Sequence, residues 1–147
     1  MEFKTLVSVL IPDQNGNILL VNEKKEFMFD KLNLPGGHIE LGESLIEGAK
    51  REAMEEVQVE VEIQGLLGIY ERFEPNHYTH FIFQGKIVNG TPTANTNEIK
   101  DVAWHPIEDI NNYSDEQCVA KGKLLSAVSR YVQGKLGSLD QIIDDNQ

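Results

Sequence analysis

Glu52, Glu55 and Glu56 stand at i, i+3 and i+4 in a stretch of good helix formers. On an α-helix that spacing places three carboxylates on one stripe. Like charges so placed repel by roughly 0.2–0.5 kcal/mol per pair. They also fall late in the segment, where the helix dipole disfavours anions. A divalent cation would offset both costs, and hard oxygen donors at short spacing suit Mg²⁺ or Mn²⁺ rather than Zn²⁺. A solvated acidic face is the competing reading of the three glutamates alone. Arg51 lies four residues from both Glu47 and Glu55, so it can orient the stripe without being a ligand. Upstream, Gly36 and Gly37 allow close backbone approach, with a carbonyl or amide facing a metal or a phosphate. Glu43 sits just ahead of the helical segment.

The flanking pattern supplies the elements that must position these groups. Ser44 reads as an N-cap and Glu47 completes a capping box, which opens a helix over 44–57. Leu45, Ala49, Ala53 and Val57 give that helix one narrow apolar stripe. Residues 3–11 read as a strand that stops at Pro12, and 18–21 return as its hairpin partner after a turn at 13–17. Residues 23–33 read as a loop and 34–37 as a turn. Alternation predicts a strand over 59–71, followed by another over 78–88. A polar loop spans 89–97, a short strand 102–105, and a short helix runs from Pro106 to Ile110. Residues 115–134 read as a helix, and 137–147 as a frayed tail. Strands and helices mix without regular βα alternation. The expectation is an α+β fold, a mixed sheet with helices packed on it, rather than a Rossmann fold or a barrel.

Composition narrows the function classes. The 147 residues suffice for one core, so 1–147 is expected to be a single domain. No apolar run approaches the roughly 20 residues of a membrane helix. The first sixteen residues lack the charge pattern and cleavage site of a signal peptide. The single cysteine, Cys118, has no internal partner, which makes a reducing cytoplasm the expected location. A net charge of −11 argues against a basic surface for long nucleic acid. It does not exclude a small phosphate ligand held through metal. The four histidines form no zinc spacing with Cys118.

Together, Gly37, Glu43, Arg51, Glu52, Glu55 and Glu56 follow the spacing G-x5-E-x7-R-E-U-x-E-E, where U is apolar. The segment 37–59 resembles the Nudix box, and the wider likeness covers most of 3–112. One letter departs from the family pattern. Gln58 stands where the family has glycine, and Val57 where many members have threonine. Gln58 puts the geometry of the helix end in question, since a non-glycine residue in a left-handed cap costs on the order of 1 kcal/mol. No box carboxylate is lost.

The resemblance implies a Nudix-type α/β/α sandwich and metal-dependent hydrolysis of a diphosphate bond. By carry-over, Glu52, Glu55, Glu56 and the Gly37 carbonyl would hold Mg²⁺, with Mn²⁺ as a substitute. Arg51 would orient the glutamates and Glu43 would support the loop. Glu52 is the first choice of general base. Glu98, in the polar loop, is the candidate outside the box, against a reading as a solvated loop acid. The implied partner is a small nucleotide or pyrophosphate substrate, and a homodimer is an assembly that similar proteins adopt. The lead-in at 33–40 looks like that of enzymes acting on nucleoside di- and triphosphates. Pro75 lies near the place of a proline associated with ADP-ribose hydrolases, but its context differs, so an ADP-ribose or nucleoside-diphosphate-sugar pyrophosphatase is the alternative. A nucleotide-sensing domain without catalysis is the rival class; such proteins often lose box glutamates, and this one keeps them. Arg72 is a candidate phosphate contact, and Phe29 and Tyr70 are candidates for stacking on a base, each against a reading as surface charge or core.

Overall fold

A computed structural model describes residues 1–146. Two sheets form the centre. One has the order β4-β1-β6-β5, from Gly36–His38, Phe3–Leu10, His77–Asn89 and Glu60–Arg72. The other has the order β3-β2-β7, from Leu32–Asn33, Asn17–Glu23 and Ile99–Pro106. β1 runs parallel to β6; the other pairings are antiparallel. Helix α1 (Leu45–Val57) covers one side of this centre. The short helix α2 (Ile107–Ile110) and helix α3 (Lys121–Val132) contribute to the core on the other. The expected α+β sandwich with a mixed sheet is what forms.

Alternation along the strands sorts the core into two layers. Val7, Val9, Ile11 and Phe83 pack with Ala49, Ala53 and Val57 of α1. Leu10, Leu67 and Ile82 pack with Leu124, Ala127 and Val128 of α3. Each of these runs is buried on both faces, as strands between two layers of cover must be.

That double burial explains why the hairpin expected between 3–11 and 18–21 does not persist. The strands touch only at the turn, where the Leu19 N–H donates to the Ile11 carbonyl at 3.0 Å and Asp13 N–H to the Asn17 carbonyl at 3.0 Å. Beyond it they part into different sheets, because each apolar run needs neighbours that a two-stranded ribbon lacks. The predicted loop 23–33 also carries structure. It holds a 3₁₀ turn at Glu26–Met28 and the short strand β3. Its neck is closed on one residue: Glu23 N–H donates to the Lys31 carbonyl and Asp30 N–H to the Glu23 carbonyl.

The helix expected over 115–134 starts at Lys121. Ser114 and Gln117 form their own capping box around a 3₁₀ turn, and Val119 N–H then donates to the Leu32 carbonyl, which holds the chain extended. The tail is not frayed from 137 as expected. Gly137 exchanges backbone hydrogen bonds with Leu66, and Leu139 and Ile142 pack on the core. Two apolar residues anchored to a strand offset the ordering cost of this segment.

Helix α1 begins as its sequence dictates. Ser44 Oγ accepts from the Glu47 N–H at 3.1 Å, and Glu47 Oε2 accepts from the Ser44 N–H at 3.2 Å. It ends at Gln58 with φ 60° and ψ 39°, a left-handed cap on a non-glycine residue. Gln58→Gly is expected to raise stability by up to about 1 kcal/mol, with the greater freedom of glycine in the unfolded chain offsetting part of the gain. Urea unfolding measures it, and turnover should stay within a few-fold.

Candidate active site

The glycine pair lets α1 meet the edge of the sheet. Gly37 faces α1, and a Cβ there would lie 2.5 Å from Glu52 Oε1. Gly36 faces the other way, and a Cβ would overlap Ser8 Oγ and the Val7 carbonyl. Only residues without side chains fit between these groups. The Gly36 N–H donates to Glu56 Oε1 at 3.0 Å, which ties the helix carboxylate to β4.

Arg51 organises the rest. Its Nε and Nη2 grip both oxygens of Glu43 at 2.9 and 2.7 Å. Nη1 donates to Glu52 Oε1 at 2.9 Å and Glu55 Oε2 at 3.0 Å, and Nη2 also donates to the His38 carbonyl at 3.0 Å. The expected pair with Glu47 is absent, because Glu47 is engaged in the capping box. Bidentate geometry of this kind is stronger and more directional than a single contact.

The electrostatics are dominated by burial. Glu52 and Glu56 are 9% and 7% exposed, and Glu23, at the end of β2, is 4% exposed. Burial pushes the Glu56 carboxyl up to about 9; the Gly36 amide opposes the shift, and Glu23 and Glu52 add to it. Burial also raises Glu52 against the pull of Arg51, and raises Glu23 against the amide of Asn33. Glu43 moves the other way, because Arg51 stabilises its charged form. Of the three buried carboxylates, only Glu52 has a cation within ion-pair distance. Lys25 lowers Glu56 from further away.

These residues suit a divalent cation. The donors are hard oxygens, like charges are held close in a poorly solvated place, and the glycine cradle would be filled by any side chain. Among the described residues no three acids are already drawn into a cage; Arg51 Nη1 stands between Glu52 and Glu55.

A cleft of about 220 Å³ opens beside this cluster. Leu6 and Ser8 of β1 and Tyr78, His80 and Ile82 of β6 line it, as alternate residues on one sheet face. Lys25, Phe27 and Met28 line it from the neighbouring loop, and Val119, Ala120 and Lys123 from the start of α3.

The structure brings Gly37, Glu43, Arg51, Glu52, Glu55 and Glu56 together, as the spacing predicts. Of these, Gly37 and Glu56 line the cleft, and so does Arg72. Tyr70 lies elsewhere: its hydroxyl is 2.9 Å from Ser126 Oγ, and its ring packs with the α3 layer. Phe29 is exposed, with Lys100 Nζ 5.1 Å from its ring centroid, and is not a lining residue. The stacking candidate that does line the cleft is Phe27. Glu98 sits in the polar loop, its N–H donating to the Asn95 carbonyl. Asn95 in turn binds the end of α1 through the carbonyls of Glu55 and Glu56. Sequence reasoning missed Glu23, His80 and Lys123. Glu23 closes an apolar strand in inward register, a signal hidden by reading it as the first loop residue. Nothing in the sequence joins His80 to Lys123.

Residues 3–125 match the family model for the NUDIX domain. A solved NUDIX hydrolase from Nitrosomonas europaea superposes with a TM-score of 0.85 at 29% identity, covering 98% of this chain and 99% of that one. A Bacillus subtilis protein provisionally named an 8-oxo-dGTP diphosphatase is 32% identical over 96 residues, 65% of this chain and 62% of its own length. An ADP-ribose pyrophosphatase from Methanocaldococcus jannaschii is 29% identical over 105 residues, 69% of this chain and 60% of its own. This chain thus spans less than two thirds of the length of these two curated relatives. No helix among the described residues is long and apolar enough to cross a membrane. A domain match over most of the chain, on a fold that keeps every carboxylate of the box, means that this chain belongs to the NUDIX family.

Proposed function

We propose that the protein hydrolyses a diphosphate bond in a nucleoside di- or triphosphate or a related nucleotide-like pyrophosphate. The observation that supports this most is the cluster of Glu52 and Glu56, buried against the side-chain-free Gly36 and Gly37 beside a cleft sized for a small molecule. Glu52, Glu55, Glu56 and the Gly37 carbonyl would hold Mg²⁺, with Mn²⁺ as a substitute. When bound, the cation supplies Lewis acidity that offsets charge on the diphosphate oxygens.

The chain's own residues do the rest. Arg51 holds Glu52 and Glu55 in fixed rotamers and leans on Glu43, so the carboxylates are oriented before substrate arrives. Water attacks one phosphorus of the diphosphate, Glu52 takes its proton, and the bond from that phosphorus to the bridging oxygen breaks, the other phosphate leaving with that oxygen. Burial favours Glu52 for that task, because it raises the proton affinity of a carboxylate that is otherwise a weak base. Glu98 is the second choice, since its loop is pinned to the end of α1 by Asn95. Glu52→Gln is expected to lower kcat by about a thousandfold and Glu98→Gln by less than about tenfold. Single-turnover rates as a function of pH decide between them, and the reverse order would move the base to the loop.

The names of the relatives favour two substrate groups, oxidised nucleoside triphosphates and ADP-ribose. The test is a product-resolved panel with Mg²⁺: nucleoside triphosphates, oxidised nucleotides, ADP-ribose, dinucleoside polyphosphates and thiamine-pathway pyrophosphates. Turnover of one group by the wild type and not by Glu56→Gln supports the hydrolase. Ligand-induced stabilisation without product favours a sensing domain.

A further inference from the structure

Beside the carboxylate cluster the cleft holds a second polar construction. His80 is 8% exposed, with Nε2 2.7 Å from Ser8 Oγ and Nδ1 2.9 Å from Lys123 Nζ. An ammonium only donates, so Nδ1 accepts and Nε2 carries the proton that Ser8 Oγ receives. His80 thereby fixes Lys123 Nζ over the cleft floor and occupies one of its three donors. Neither Lys123 nor Arg72 has an acidic partner within ion-pair distance among the described residues. The Arg72 guanidinium lies over the Tyr78 ring, 4.3 Å from its centroid, which leaves its edge free to donate.

Both cations line the same cleft, and burial first and then the nearby Arg72 charge hold the Lys123 ammonium below its usual pKa. In a chain with 24 acids and 13 bases, two adjacent unmatched cations run against the bulk charge. Lys123 is partly buried and Arg72 is exposed beside it; a partly buried ammonium left without a counter-charge is costly, and an anion reaching both groups would complete it.

The sheet gives the spacing. Along β1, Gly36 pairs with Ser8, while His80 lies opposite Leu6 and Tyr78 opposite Lys4. His80, which holds Lys123 Nζ, and Tyr78, whose ring carries the Arg72 guanidinium, thus lie two and four residues along the strand from the position opposite Gly36, or about 7–13 Å of backbone. That separation suits a phosphomonoester borne on a sugar rather than the scissile diphosphate itself.

We propose that Lys123 and Arg72 form a phosphate subsite that takes a phosphomonoester set apart from the diphosphate being cleaved. This rests on the diphosphate reading above. It narrows the substrate class to nucleotide diphosphates that carry a further phosphate on the sugar or at the far end of the leaving group.

Matched pairs that differ only in that phosphate test it: coenzyme A against its 3′-dephospho form, NADPH against NADH, and ADP-ribose 2′-phosphate against ADP-ribose. Binding by titration calorimetry and kcat/KM, both with Mg²⁺, are measured on wild type, Lys123→Met and Arg72→Met. The expected result is a preference of about tenfold or more for the phosphorylated member of at least one pair in wild type. It should fall toward unity in both variants, because the phosphorylated member loses more than the unphosphorylated one. Arg72 sits at an exposed strand end, so its variant keeps the test open if Lys123→Met unfolds. Equal handling of every pair, no binding of any member, or a preference that survives both substitutions overturns the subsite. Preferential binding without turnover keeps the subsite and refutes the hydrolase; turnover without preference does the opposite.

Discussion

Glu56→Gln is expected to lose turnover by a factor of about a thousand and yet to fold more stably than the wild type at pH 8 in EDTA. Both halves come from the same burial. The carboxylate is 7% exposed, lies near Glu23 and Glu52, and accepts a hydrogen bond from Gly36. As a proposed ligand its charge is needed for the cation, and several kcal/mol of transition-state stabilisation depend on it. As a buried anion without a cation it burdens the fold. A glutamine amide keeps the shape, accepts the Gly36 N–H through its oxygen, and carries no charge. Steady-state kinetics and urea unfolding on the same preparation check the two halves. Unchanged turnover would remove Glu56 from the ligand set.

Chelation is expected to abolish wild-type turnover, with Mg²⁺ or Mn²⁺ restoring it, and the stabilisation by Mg²⁺ is expected to grow as pH rises. In the unfolded chain Glu56 titrates near 4.5; in the fold it is pushed up to about 9. Between those values the folded state binds the extra proton, so metal-free stability falls as pH rises through that window. Glu52 and Glu23 are raised as well and steepen the trend. Mg²⁺ competes with those protons, so its contribution is smallest near pH 5 and largest near pH 9. Thermal melts from pH 5 to pH 9, with and without Mg²⁺, measure it. Activity that persists in EDTA, or a Mg²⁺ effect flat with pH, would sink the metal mechanism. The Glu56→Gln melt should show a shallower pH slope.

Short-range chemistry was the legible part of this protein. The capping box at Ser44 and Glu47, the apolar stripe of α1 and the box carboxylates each depend on neighbours a few residues away, and all form as their spacing predicts. The sequence leaves open the helix end at Gln58, the one letter out of pattern, and the structure resolves it as a left-handed cap. What sequence could not give was partnership across the chain. Residues 3–11 and 18–21 look like a hairpin because both are apolar and joined by a turn. Only the demand for cover on two faces sends them to different sheets. Tyr70 has the right type to stack on a base, yet its register turns it under α3. Lys123 and His80 are 43 positions apart, and only the packing of α3 on the sheet brings them within 2.9 Å.

The closed neck of the loop between β2 and β3 has a consequence for how a site of this kind diversifies. Glu23 receives the chain on entry and again on exit, through Lys31 and Asp30. Residues between those anchors, Lys25 and Phe27 among them, form one wall of the cleft. Loop length costs little in closure entropy, about 0.6 kcal/mol per doubling. Insertions or swaps inside the neck can therefore remodel that wall while the anchored Glu23 and the carboxylates beside it keep their places. Selection, or a library of grafted loops, has here a cassette in which leaving-group preference can drift while the proposed hydrolytic chemistry stays constant.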